Sequence, residues 1–138
     1  MKKTVLIADD VAFVRKTLTE ILTRAHYQVI GEALDGKQAV ELFKKLRPDV
    51  VTMDIVMPVM SGIDATKNMI THDKDAKVVI ISAMGQENLV MDAIHVGAKD
   101  FILKPFTAEE ITRTLDRVLK GDDRNSSRNS SKTAGVRS

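Results

Sequence analysis

The chain has 138 residues, 43% apolar and 29% charged, the balance of a globular protein large enough to bury a core of its own. It contains no cysteine, which excludes a disulfide framework or a thiolate metal site. The net charge is +2 and the pI near 8.9, but four of the 21 basic and two of the 19 acidic residues fall in 121–138, so positions 1–120 are neutral and a nucleic-acid surface is excluded on electrostatic grounds.

Met1-Lys2-Lys3 imitates the start of a secretory signal. The apolar stretch Val5-Leu6-Ile7-Ala8 then runs into Asp9-Asp10, too soon for the hydrophobic core of a signal. No segment approaches the roughly 20 apolar residues of a membrane span, so the expected location is cytoplasmic, with no membrane partner. Thr4–Ala8 is the first predicted strand. Val14, Leu18, Ile21, Leu22 and Ala25 then recur on one helical face. Val29–Ala33 is the second strand, and Asp35 with Gln38 caps a helix that turns Ala39, Val40, Phe43 and Leu46 inward. Val50–Met53 is the third strand and Ile63–Ile70 the third helix. Val78–Ser82 and Leu89–Val96 form the next pair. Asp100–Leu103 is the last strand, followed by the capping box Thr107-Ala108-Glu109-Glu110 before Ile111, Leu115, Val118 and Leu119. Three strands are nearly continuous apolar runs (VLIA, VVTM, VVII), as strands covered on both faces require. Strict alternation of strand and helix predicts one α/β domain over 1–120, a doubly wound parallel sheet with helices on both faces. Residues 121–138, rich in Ser, Asn and Arg, are expected to be a disordered tail, native or a cloning remnant.

In an open α/β sheet, ligands bind beyond the carboxyl ends of the strands. Asp9 and Asp10 follow the first strand and Asp54 ends the third. If those strands are neighbours, three carboxylates converge, and each pair about 4 Å apart repels by roughly 4 kcal/mol at an effective dielectric near 20. Such a cluster asks for a cation, and oxygen ligands without Cys or His favour a hard one such as Mg²⁺. Ser82 ends the fourth strand and Lys104 follows the fifth, adding a hydroxyl and an ammonium to the same edge. A divalent ion beside a lysine clamps a phosphoryl group, and a carboxylate can itself accept one as an acyl phosphate. Taken singly, Asp9-Asp10 reads as a helix cap, Ser82 as a loop hydrogen-bonder and Lys104 as a solvated cation. Their joint placement at successive strand ends points instead to a phosphoryl-accepting aspartate, Asp54. His26, His72 and His95 share no spacing or edge and are read as surface or satisfied positions. Met57 and Met60 are expected to pack in their loop.

These motifs, DD after the first strand, DIVMPVMSG from Asp54, SA at Ser82 and KPF at Lys104, resemble the receiver domain of two-component response regulators. The likeness spans about residues 3–120 and is strongest to the stand-alone chemotaxis regulators. It implies a flavodoxin-like fold with strand order 2-1-3-4-5. It also implies that Asp54 takes a phosphoryl group from a histidine kinase. Asp10 and Asp54 would bind Mg²⁺ directly with the main-chain carbonyl of Val56, and Asp9 largely through water. Lys104 would pair with the phosphoryl oxygens. Ser82 would swing inward to another oxygen, Phe101 would turn into the vacated space, and the Lys104-Pro105 bond would be cis. Phe101 replaces the family's frequent Tyr and loses its hydroxyl. Val56 and Met84, two residues beyond Asp54 and Ser82, offer no polar side chain, which leaves the acyl-phosphate lifetime open.

The implied role is a monomeric switch, not an enzyme, that assists its own phosphorylation and dephosphorylation. Its expected partners are the kinase, a flagellar motor switch protein and, as an option, a phosphatase. A phosphorelay intermediate or a regulator with a non-motor output is the alternative. A phosphatase with an aspartyl-phosphate intermediate needs an acid/base aspartate two residues after the nucleophile, where this chain has Val56. A flavin carrier needs a Ser/Thr/Gly-rich phosphate loop where this chain is acidic.

Overall fold

The computed structural model describes residues 2–121. Five parallel strands, β1 (Thr4–Ala8), β2 (Gln28–Ala33), β3 (Val50–Asp54), β4 (Val78–Ser82) and β5 (Asp100–Leu103), form one sheet in the order β2-β1-β3-β4-β5. Five helices alternate with them: α1 (Ala12–Arg24), α2 (Gly36–Leu46), α3 (Gly62–His72), α4 (Glu87–His95) and α5 (Ala108–Leu119). The architecture is the flavodoxin-like doubly wound sheet. Residues 122–138, most of the expected tail, lie outside the described residues.

The apolar runs are buried because each strand face meets helices. Val5 and Ile7 of β1 join Val79 and Ile81 of β4 against Leu18, Leu22, Ile111 and Leu115, so α1 and α5 cover that face. Leu6 and Ala8, pointing the other way, join Val51, Met53 and Ile80 against α2, α3 and α4 through Val40, Phe43, Met69 and Val90. Strand order reverses between β2-β1 and β3-β4-β5, which opens the crevice at the carboxyl ends of β1 and β3.

Local signals in the sequence end the elements where they should. The Asp35 carboxylate accepts from Gln38 N–H at 2.8 Å, and the Gln38 side chain returns to Leu34 N–H at 2.7 Å. The Thr107–Glu110 capping box is complete, and the Lys104-Pro105 bond is cis. Some details differ from expectation. β2 begins one residue earlier, at Gln28, and β3 extends to Asp54, so the third carboxylate sits on the sheet itself. Asp10 does not cap α1: the N-cap is Val11, whose N–H is bound by the Asp9 carboxylate at 2.9 Å. Met57 is core rather than loop packing, 8% exposed.

Candidate functional site

β1 and β3 are hydrogen-bonded neighbours with Ala8 paired to Met53, so the next residue on each strand, Asp9 and Asp54, emerges side by side. Asp10 follows, exposed to solvent. One carboxylate oxygen from each of Asp9, Asp10 and Asp54 lies within 4.8 Å of the others. Asp9 and Asp54 are buried, at 1% and 8% exposure. The cluster is held from behind by the main chain. Asp9 N–H donates to the Ala33 carbonyl at 3.1 Å. The Asp9 carbonyl accepts from Arg15 Nη1 at 2.8 Å, while Arg15 Nε pairs with Glu32 at 2.9 Å. On the β3 side, Gly62 N–H donates to the Ile55 carbonyl at 2.7 Å, and a Cβ at Gly62 would meet the Asp54 carbonyl oxygen at 2.0 Å. Only glycine lets α3 start this close to Asp54.

Lys104, just past β5, reaches over β4 to this cluster. Its Nζ lies 3.2 Å from Asp9 Oδ2 and 3.8 Å from Asp54 Oδ1. Burial is the main reason the Asp54 carboxyl is pushed up to about 6 from 3.8. The Lys104 ammonium opposes the rise, Asp9 adds to it, the Ile55 N–H opposes it at 2.9 Å, and Asp10 adds a little more. Three carboxylates face one ammonium, so the site carries excess negative charge in a pocket of oxygen donors. That donor set fits a hard divalent cation, Mg²⁺ among them.

Ser82 ends β4 one residue beyond the Asp54–Ile81 pair. It is fully buried, and its hydroxyl donates to the Ala83 carbonyl at 3.3 Å, outside the carboxylate cluster. Phe101, paired with Ile80, is half-buried against the core of the α2–α4 face. Val56 lies in the loop after β3 with its side chain exposed. The structure thus brings Asp9, Asp10, Asp54 and Lys104 together and leaves Ser82, Val56 and Phe101 around them. His26, His72 and His95 are all exposed and away from this edge, His72 against the Phe43 ring. Spacing did not reveal Arg15 or Gly62. Each acts on the backbone behind a carboxylate, and such a contact leaves no periodic trace.

Residues 5–116 match the response regulator receiver domain family. The chain belongs to that family. This receiver domain is 52% identical over 120 residues to the chemotaxis protein CheY of Thermotoga maritima, covering 87% of this chain and all of the relative. It is 46% identical to CheY of Bacillus subtilis, covering 86% and 99%. Among solved structures it is similar to the CheX-CheY-BeF₃-Mg²⁺ complex of Borrelia burgdorferi. The TM-score there is 0.77 at 42% identity, over 86% of this chain and 87% of that one. The receiver domain is therefore a CheY-like response regulator, with an acidic cluster at its carboxyl edge. Among the described residues, no helix is long and apolar enough to cross a membrane.

Proposed function

We propose that the chain is a phosphoacceptor switch in which Asp54 takes a phosphoryl group from the phosphohistidine of a histidine kinase. The observation that carries this reading is the cluster itself: three carboxylates with Lys104 lodged between Asp9 and Asp54. At neutral pH the Asp54 carboxyl, pushed up to about 6, is mostly ionised. A carboxylate oxygen attacks phosphorus in line, the P–O bond forms as the P–N bond breaks, and the imidazole leaves with its electron pair. Lys104 moves from its carboxylate partners to the phosphoryl oxygens. Asp10 and Asp54, with the Val56 carbonyl and Asp9 through water, would hold Mg²⁺, which neutralises charge on the transferring group.

Switching a population from 1:99 to 99:1 takes about 5.5 kcal/mol. Charge-assisted hydrogen bonds of roughly 1.5–3 kcal/mol each, from Lys104 and Ser82 to a dianionic phosphoryl group, supply most of that. Phe101, half-buried beside β4, is placed to follow Ser82. Val56, where aspartate-based phosphatases carry a second acid/base aspartate, argues against a phosphatase that turns over.

Likeness to CheY supports a chemotaxis role, with a flagellar motor switch protein as target and a CheX-like protein as partner of the charged state. Exposed Val11, Phe13, Val56, Val59 and Met84 lie on the loops and first helical turn next to the acidic site, suiting an approaching protein rather than a small substrate. The test is labelling with radioactive acetyl phosphate in Mg²⁺. Wild-type chain should give a label that hydroxylamine releases, as it cleaves an acyl phosphate, and that Asp54→Asn abolishes; an acid-stable, hydroxylamine-resistant label at Ser82 would overturn the assignment. Capture of the motor switch protein only in the presence of beryllofluoride separates a motor output from another one.

A further inference from the structure

The peptide unit joining Ser82 to Ala83 is held from both sides. Its carbonyl, that of Ser82, accepts from Lys104 N–H at 2.7 Å. Its N–H, that of Ala83, donates to the Gln86 Oε1 at 2.9 Å. The Ser82 hydroxyl is turned onto the Ala83 carbonyl at 3.3 Å. Gln86 is the N-cap of α4, yet its side chain makes no capping bond to the helix and reaches back along the chain instead. The first helical amides therefore gain nothing from it, while the residue next to Ser82 is tied down. Gly85, with φ at +88°, makes the turn that allows this reach.

We propose that the Gln86 carboxamide is a latch on the β4–α4 loop, a positioning residue that keeps Ser82 turned away from Asp54 until a phosphoryl group is present. The inference rests on the phosphoacceptor reading above. The Ser82 hydroxyl can turn about its own χ1, but drawing the end of β4 and its loop toward Asp54 with it also moves the peptide that follows Ser82. That movement carries the Ala83 N–H off Gln86. The contact stabilises only the resting arrangement, so its loss favours the activated one.

The experiment measures beryllofluoride affinity in Mg²⁺ for the full chain, Gln86→Leu and Gln86→Ala, each also in a Ser82→Ala background. Gln86→Leu keeps the bulk and removes the acceptor; the half-exposed position tolerates either change. Both variants should bind beryllofluoride about threefold more tightly than wild type, the worth of one solvent-accessible neutral hydrogen bond. That gain should shrink toward nothing when Ser82 is Ala, because the latch acts through Ser82. The Ala83 amide resonance of wild type should move on beryllofluoride addition to the position it already samples in Gln86→Leu. Equal affinities of wild type and both variants, or the same gain in both backgrounds, overturn the latch while leaving Asp54 as acceptor. Failure of beryllofluoride to bind wild type overturns the acceptor reading and the latch with it.

Discussion

Lys104 Nζ sits 3.2 Å from Asp9 Oδ2, an ion pair between residues 95 positions apart whose acidic partner is almost fully buried. The lysine serves as an internal cation for a cluster that would otherwise hold three unneutralised carboxylates. Its ammonium and a divalent ion therefore compete for the same negative charge. Lys104→Gln should raise Mg²⁺ affinity about a hundredfold, from removing one positive charge about 5 Å from a doubly charged ion at an effective dielectric near 50. The same variant should lose roughly 1–3 kcal/mol of stability without metal. Calorimetric Mg²⁺ titration and urea unfolding read the two effects, and a fall in Mg²⁺ affinity would contradict the geometry.

Asp54 is destabilising in its ionised form. Its carboxyl is pushed up to about 6 in the folded chain against 3.8 for the free group, mainly by burial. Between these values the folded state holds a proton that the unfolded state has released. The contribution of Asp54 to stability is thus fully present below about 4 and is lost as pH rises through about 6. Asp54→Asn should be more stable than wild type at pH 7 by roughly 1–3 kcal/mol, with the difference shrinking toward pH 4 and in saturating Mg²⁺. Urea unfolding across this pH range checks it; a constant difference would show that charge is not the cause.

Gly62 is the point where α3 starts against the backbone of Asp54. A methyl group there would lie 2.0 Å from the Asp54 carbonyl oxygen, and backbone on both sides cannot yield as a side chain would. Gly62→Ala should cost about 3 kcal/mol or more, and the β3–α3 loop should shift away from Asp54. Weaker Mg²⁺ binding, measured where the variant remains folded, would accompany it. A fully stable Gly62→Ala with unchanged Mg²⁺ affinity would rule out the close approach.

Tyr27 donates its hydroxyl to Asp116, tying the start of β2 to α5 across the α1 face. Burial, then the Asp116 hydrogen bond and charge, hold the phenol protonated well above its usual range. An acid whose folded-state pKa is raised stabilises the fold below the unfolded value, near 10, and that contribution is lost at higher pH. As the chain has a single tyrosine and no tryptophan, absorbance near 295 nm reports it without interference. Phenolate should appear only together with unfolding, and Tyr27→Phe should cost about 1–2 kcal/mol at pH 7. Reversible ionisation near pH 10 in the folded chain would contradict the pairing.

Much of this molecule is legible from local pattern. Runs such as VLIA and VVII could bury on both faces only in a parallel sheet flanked by helices, and the Asp35 and Thr107 caps announced where α2 and α5 begin. The cap of α1 was not legible. Val11 is the cap because the Asp9 side chain turns back onto its N–H, leaving Asp10 free at the edge. Nor was the burial of Met57, which depends on how far the β3–α3 loop folds under α2 and α3. The roles of Arg15, Gln86 and Gly62, the last closing the DIVMPVMSG motif, could not be read from spacing because each acts on a main-chain atom, which any sequence supplies at every position.

Hydrophobic period and strand-end chemistry, both local properties, determined that this chain forms alternating strands and helices and carries its acidic, hydroxyl and basic groups on one edge. Only the tertiary structure decided which of those groups meet. Strand order puts β1 beside β3, and β5 lies close enough for a long lysine to cross β4, so Lys104 reaches Asp9. Contacts of that kind depend on the twist and register of the whole sheet, to which no single segment is sensitive.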